Sequence, residues 1–252
     1  MSWETGSQIP RKNEYISNED LLKKKGFLEE REAKLLFYEF LRNNTTFATD
    51  LITGVQLFPF QHMAIKSMLE SDYFLGVWSR GMSKSYTTGI YAVLDAILNQ
   101  GVETGILSRS FRQSKMIFKK IEDIAAKPEA YLLKQCITHV SKSNDEWVME
   151  IGKSRIRALP LGDGEKLRGF RFHRIIIDEF LLMPERIYNE VIVPFLSVVQ
   201  NPTQREELYQ VENNLIKQGK MEEKDRHQWP NNKLIALSSA SFKFEYLYKL
   251  YE

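Results

Sequence analysis

Lys84 and Ser85 close a polar turn, Trp78-Ser79-Arg80-Gly81-Met82-Ser83-Lys84-Ser85, set between an apolar run and an amphipathic one. At a strand-to-helix turn, successive backbone N–H groups and the helix N-terminus form a cradle for anions. A lysine there reaches the terminal phosphates of a nucleotide, and a hydroxyl on the next residue can ligate Mg2+. The general pattern for such a loop is G-x-x-x-x-G-K-S/T, and here Trp78 and Ser83 stand in place of its glycines. Taken alone, the turn fits an ordinary capped helix start better than a phosphate loop. Its setting and a second pair of residues reverse that order.

The second pair is Asp178-Glu179, at the end of Arg174-Ile175-Ile176-Ile177, the most hydrophobic strand candidate in the chain. Burial of that run puts two carboxylates at the C-terminal edge of a parallel sheet, where ligands bind in α/β folds. Asp178 is the candidate to hold Mg2+, directly or through water. Glu179 is the candidate general base for an attacking water. The competing reading is a strand that simply ends in a solvated acidic turn.

The elements that must position these groups follow from periodicity. Tyr73 to Trp78 reads as a short strand, and after the turn Ile90, Val93, Leu94, Ile97 and Leu98 mark one face of a helix that Gly101 stops. Thr104 to Ser108 is a second strand, followed by a helix carrying Met116, Ile117, Ile121 and Ile124. Residues 147–161 alternate around Gly152 as a hairpin, and Leu234 to Ser238 is a last strand. Near-continuous apolar strands between amphipathic helices predict a mainly parallel sheet covered on both faces. Ser17-Asn18-Glu19-Asp20 starts a predicted helix, a second carries Leu35 to Leu41, and residues 200–232 form a polar, mobile or partly helical excursion.

Composition narrows the class. The 252 residues are 43% hydrophobic and 27% charged, with a net charge of +2, so a sizeable core is within reach and no strong basic bias exists. A single cysteine, Cys136, excludes a disulfide within the chain, and the histidines at 62, 139, 173 and 227 show no ligand spacing. No stretch approaches the ~20 apolar residues that span a bilayer, and the N-terminus has no signal-peptide core, so a soluble intracellular protein is expected.

In combination these features resemble the ATPase domain of viral (bacteriophage) terminase large subunits and, more distantly, superfamily 2 helicases. Ser79-Arg80-Gly81-Met82-Ser83-Lys84-Ser85 fits the family's deviant phosphate loop, S-R-x-x-(G/A/S)-K-(S/T), where it fails the general one. The resemblance implies a phosphate-sensing role for Arg80. It also implies that Gln61, in Leu57-Phe58-Pro59-Phe60-Gln61, reads the adenine edge, for which a donor-plus-acceptor amide is suited. Arg168, ten residues before Asp178, stands where the family has an arginine finger that reaches a neighbour's ATP, with a DNA-facing or solvated arginine as the rival reading. Ser238 and Ser239, in Leu237-Ser238-Ser239-Ala240-Ser241, resemble the coupling motif that senses the γ-phosphate.

The expected fold is therefore α/β, a three-layer P-loop NTPase (RecA/ASCE-like) with a central mainly parallel sheet, an N-terminal helical segment over 1–54 and an ATPase core over 55–252. ATP and Mg2+ are the implied cofactors. Double-stranded DNA, a portal protein and a small terminase subunit are the implied partners, in a homo-oligomeric ring when assembled or a monomer in isolation. The implied setting is the cytoplasm of an infected host cell, and the family's nuclease domain is absent, so no DNA cleavage is expected. Lys153, Arg155, Arg157, Lys166, Arg168, Arg171 and Arg174 crowd about twenty residues. That density suits phosphate contacts and equally suits the protection of sheet edges.

Overall fold

The computed structural model describes residues 37, 38, 40–162, 164, 167, 169–196, 202–219, 222, 223, 226 and 231–238. The helix start expected at Ser17 and most of the one expected over Leu35 to Leu41 lie outside them. The chain divides into two compact units, Met1–Asn44 and Thr45–Glu252, and every element below belongs to the second.

In chain order these are α1 (Thr45–Thr53), α2 (Pro59–Glu70), β1 (Tyr73–Val77), α3 (Lys84–Leu98), β2 (Glu103–Ser108), α4 (Phe111–Ala125), α5 (Tyr131–Cys136), β3 (Ile137–Lys142), β4 (Trp147–Ile151), β5 (Ser154–Pro160) and β6 (Arg174–Asp178). A helical stretch over 185–196, with a π-turn at Tyr188–Ile192, is α6; α7 is Pro202–Lys217 and β7 is Lys233–Ser238. The sheet order is β1-β7-β6-β2-β5-β4-β3. The first five run parallel, and β4 and β3 extend the sheet antiparallel.

Alternation along the central strands assigns the two faces. Leu107, Leu159, Ile175, Ile177 and Ala236 meet Phe180, Met183, Ile187, Val191 and Phe195 in one cluster, so α6 covers that face. Ile106, Ala158, Ile176 and Ile235 are equally buried in the intervening rows, and α4 packs on β2 and β5. A helix connecting parallel strands must return across a face, which is why helices and not tight turns separate β1, β2 and β7.

Three sequence expectations change. α3 is buried all round from Thr87 to Leu98, so it is a central helix and not an amphipathic one. Gly89 makes this possible, since a Cβ there would sit 3.3 Å from Ile121 of α4. β1 is an edge strand with Tyr73, Leu75 and Val77 exposed, so it is not covered on both faces. β3, polar and mostly exposed, escapes periodicity altogether. The 200–232 excursion is partly helical as expected, with the sixteen-residue helix α7 within it.

Candidate functional site

β6 is the strand that carries the acidic pair, and the parallel order puts its C-terminal end beside the ends of β7 and β2. Trp78 N–H donates to Ser238 O (2.9 Å), which extends the β1–β7 ladder up to the turn that follows β1. Gly81, at φ +85°, supplies the left-handed residue the turn needs, with open space around its Cα. Ser83 then sits at φ 53° ahead of α3, and Glu179 at φ 57° just past β6. Among the described residues these are the only non-glycines with positive φ, and both lie at the same site. Such backbone costs energy and persists where surrounding structure enforces it.

The side chains converge. Lys84 Nζ lies 3.1 Å from Asp178 Oδ1 and 3.4 Å from Glu179 Oε1. Asp178 Oδ1 also accepts the Glu179 N–H (3.1 Å), and among the described residues nothing donates to Oδ2. The backbone N–H groups of Lys84, Ser85 and Tyr86 fall in the first turn of α3, where a helix offers no internal acceptor. Residues Trp78 to Tyr86, with Glu179, Met116, Lys120 and Lys127, line a cleft of about 670 Å³. Ser79, Arg80, Gly81, Met82 and Ser83 form its exposed rim, and Lys84 and Ser85, half-buried, lie deeper at the start of α3.

A second hollow of about 560 Å³ shares Ser83, Tyr86 and Lys127 with the first and reaches Phe58 and Gln61. Gln61 is buried, and its amide is engaged at both ends. Oε1 accepts the Phe58 N–H (2.9 Å), closing the start of α2, while Nε2 donates to Thr87 Oγ1 (3.1 Å). Thr87 Oγ1 in turn donates to Ser83 O (3.1 Å), so a hydrogen-bonded chain runs from Phe58 to the turn. One amide N–H and one lone pair of Gln61 remain for anything in the hollow.

Two hydroxyls flank the acidic pair. Ser108 pairs in register with Asp178, and Ser238 ends β7 beside it; both are fully buried with Oγ unpartnered. Ser238 was legible as a small hydroxyl at a strand end, Ser108 was not singled out, and Arg168 and Ser239 lie outside the described residues. Sequence reading also missed Tyr86, Met116, Lys120 and Lys127. Helical position places the first in the turn after Lys84, but nothing local announces that α4 returns its outer residues to the cleft.

At the other end of β6, Arg174 is fully buried, its Nε 2.8 Å from Asp95 Oδ2 of α3. Nη1 donates to His173 O (3.0 Å) and Asn231 O (2.9 Å). The surface role open to Arg174 in the basic cluster is therefore excluded. Arg155 bridges Glu103 (3.2 Å) and Glu150 (2.9 Å), and Arg157 bridges Glu103 (3.3 Å) and Glu146 (3.0 Å), so with Arg174 three members of that cluster are paired internally. Beside Arg174, burial first and then the guanidinium charges of Arg174 and Arg205 pull His173 down to about 4, so it is neutral near pH 7. Lys233, lowered chiefly by burial, donates to Leu69 O and Ser71 O (2.9 Å each) and closes the end of α2.

Mg2+ takes oxygen donors and keeps several waters, so few protein ligands suffice. Asp178 Oδ2 and Ser85 Oγ fit that requirement, and among the described residues no three His, Cys, Asp or Glu form a cage for any other metal. Nor is any described helix long and apolar enough to cross a membrane.

The architecture is an α/β P-loop-type fold, a mostly parallel seven-stranded sheet with helices on both faces. It matches the HK97 bacteriophage large terminase at 16% identity and a TM-score of 0.50, over 77% of this chain and 35% of that one. The large terminase ATPase domain of Thermus phage P74-26 aligns at 14% identity and a TM-score of 0.48, over 75% of this chain and 67% of that one. A mutant form of the same domain aligns at 18% and 0.48, over 59% and 63%. The chain thus spans about a third to two thirds of these proteins. No family model and no curated protein matches the sequence.

Proposed function

We propose that this chain is an ATP-hydrolysing motor domain of the terminase large-subunit type, which drives double-stranded DNA into a viral procapsid. The observation that carries the reading is the convergence of Lys84, Asp178 and Glu179 from two separate elements within hydrogen-bonding distance. Lys84 would leave its carboxylate partners for the terminal phosphates, while the free N–H groups at the start of α3 hold the phosphate oxygens. Mg2+, held by Asp178 and Ser85, supplies charge neutralisation for those oxygens when bound. Glu179, released from Lys84 and facing the cleft, accepts the proton of the attacking water at Oε1. Gln61 offers its remaining N–H and lone pair to the base, Arg80 at the exposed rim meets phosphate, and Ser238 with Ser239 senses its loss. Arg168 would stabilise the transferring phosphoryl in a neighbouring copy, which makes turnover depend on assembly.

Steady-state ATPase assays at high protein concentration with DNA test this reading. The wild type should turn over ATP, and Lys84→Ala and Glu179→Ala should not. Equal rates in all three would leave a nucleotide-binding or structural scaffold instead.

A further inference from the structure

Three cations of the basic cluster that stands out in the sequence, Arg155, Arg157 and Arg174, are held in internal pairs, and another run of open positive charge lies on α4. Arg109 ends the β2–α4 turn, and Arg112, Lys115 and Lys119 follow at helical spacing along α4. Arg109, Arg112 and Lys119 are exposed and Lys115 is half-buried. None of the four has a carboxylate within ion-pair distance among the described residues. Contrast Lys142 close by, which is held by Glu122 at 2.7 Å.

An aromatic platform orients the stripe. Lys115 Nζ lies 3.8 Å from the centre of the Phe111 ring and 4.8 Å from that of Trp147, with Lys119 Nζ 5.8 Å and Lys142 Nζ 4.6 Å from Trp147. Phe111 and Phe118 hold Trp147 edge-on at 6.4 and 5.6 Å. Cations over these rings keep their charge while losing conformational freedom. The ring faces are thereby occupied, so they offer little for the stacking of unpaired bases, and the surface presents charge alone. Arg112 to Lys119 spans roughly 10 Å at the rise of an α-helix, a length that covers consecutive phosphates of one strand.

We infer that the Arg109–Arg112–Lys115–Lys119 stripe of α4 is a docking surface for the phosphate backbone of duplex DNA. The choice of DNA as the polyanion rests on the motor reading above; the stripe itself rests on charge and geometry. It has a structural consequence for that reading. On the same helix, Met116 and Lys120 line the cleft that holds Lys84, so a backbone gripped by one stripe presses on the element that walls the nucleotide site.

The test is the salt dependence of duplex binding by the full chain, read by fluorescence anisotropy with a labelled duplex of mixed sequence. Each phosphate contact contributes about one to the slope of log K against log salt. The variant Arg109→Ala/Arg112→Ala/Lys119→Ala should lower that slope by about three and weaken binding tenfold or more at low salt, with an unchanged thermal melt. Should the triple variant fold poorly, Arg109→Ala and Arg112→Ala singly should each lower it by about one. Wild-type affinity and slope in these variants would overturn the proposal, whatever Lys153→Ala/Arg171→Ala does. So would poly-glutamate competing as well as unlabelled duplex, which would mark a site for an acidic protein. Loss of the slope in the triple variant of a protein whose wild type never turns over ATP would leave the surface standing and the motor reading fallen. Full ATP turnover with unaltered duplex binding would do the reverse.

Discussion

Lys84 Nζ and Asp178 Oδ1 lie 3.1 Å apart, joining the first residue of α3 to the last residue of β6. The same helix and strand are joined again at their other ends by Asp95 and Arg174 at 2.8 Å. One pair is partly open to solvent; the other is sealed. The sealed pair fixes the alignment of helix on strand, and so holds Lys84 within reach of the acidic pair.

Arg174 therefore should not tolerate truncation. Removing one partner of a buried pair leaves the other charged and unpaired, at about 3–5 kcal/mol. Arg174→Ala should lose that much in urea unfolding, whereas Asp95→Leu/Arg174→Met together should recover most of it. A single variant as stable as the wild type would show that the pair does not organise this interface.

Ser83 adopts the left-handed backbone that usually selects glycine. A side chain there costs roughly 1–2 kcal/mol relative to glycine. Ser83→Gly should raise the melting temperature and leave ATP turnover equal or higher. A lower melting temperature would mean that the hydroxyl, and not the backbone, is what the position requires.

His173 gives the fold a pH dependence of defined sign. Its folded value, about 4, lies below the ordinary 6.5, so between these values the unfolded chain binds a proton that the folded chain does not. Stability from this group is thus complete above about 6.5 and falls as pH drops toward 4. His173→Gln, which keeps an acceptor for the Glu103 N–H that Nδ1 now receives at 3.0 Å, should flatten the decline in denaturant midpoint across that window. An unaltered decline would assign it to other groups.

Much of this was legible in the sequence for a physical reason. The central parallel strands and the site depend on short apolar runs and on turns whose residues are adjacent in the chain, as in Ser79 to Ser85 and Ile175 to Glu179. What local pattern could not supply was pairing across long separations. Arg174 looked like surface charge because its partner, Asp95, lies 79 residues away, though an acid in the middle of Ile90 to Leu98 was the available sign of a buried cation. The pairing of Arg155 and Arg157 escaped it likewise, with Glu103 more than fifty residues upstream. Lys127 and Tyr86 became cleft residues only once α4 was laid against α3, a matter of packing and not of spacing. β1 read as buried from its apolar run, yet its place at the sheet edge is set by the strand order.

Glu179 and Lys84 should separate binding from chemistry. Glu179→Gln keeps the shape of the cleft and removes the base, so hydrolysis should fall about 10²–10⁴-fold with nucleotide affinity retained. A variant that hydrolyses at the wild-type rate would take the base role from Glu179.

Calorimetric titration with Mg2+ and ATPγS examines the shared phosphate site most directly. One nucleotide should bind per wild-type chain, with affinity at least tenfold weaker in Lys84→Ala and a loss of Mg2+ dependence in Asp178→Asn. Wild-type binding in both variants would mean that Lys84 and Asp178 meet each other in this fold and nothing else.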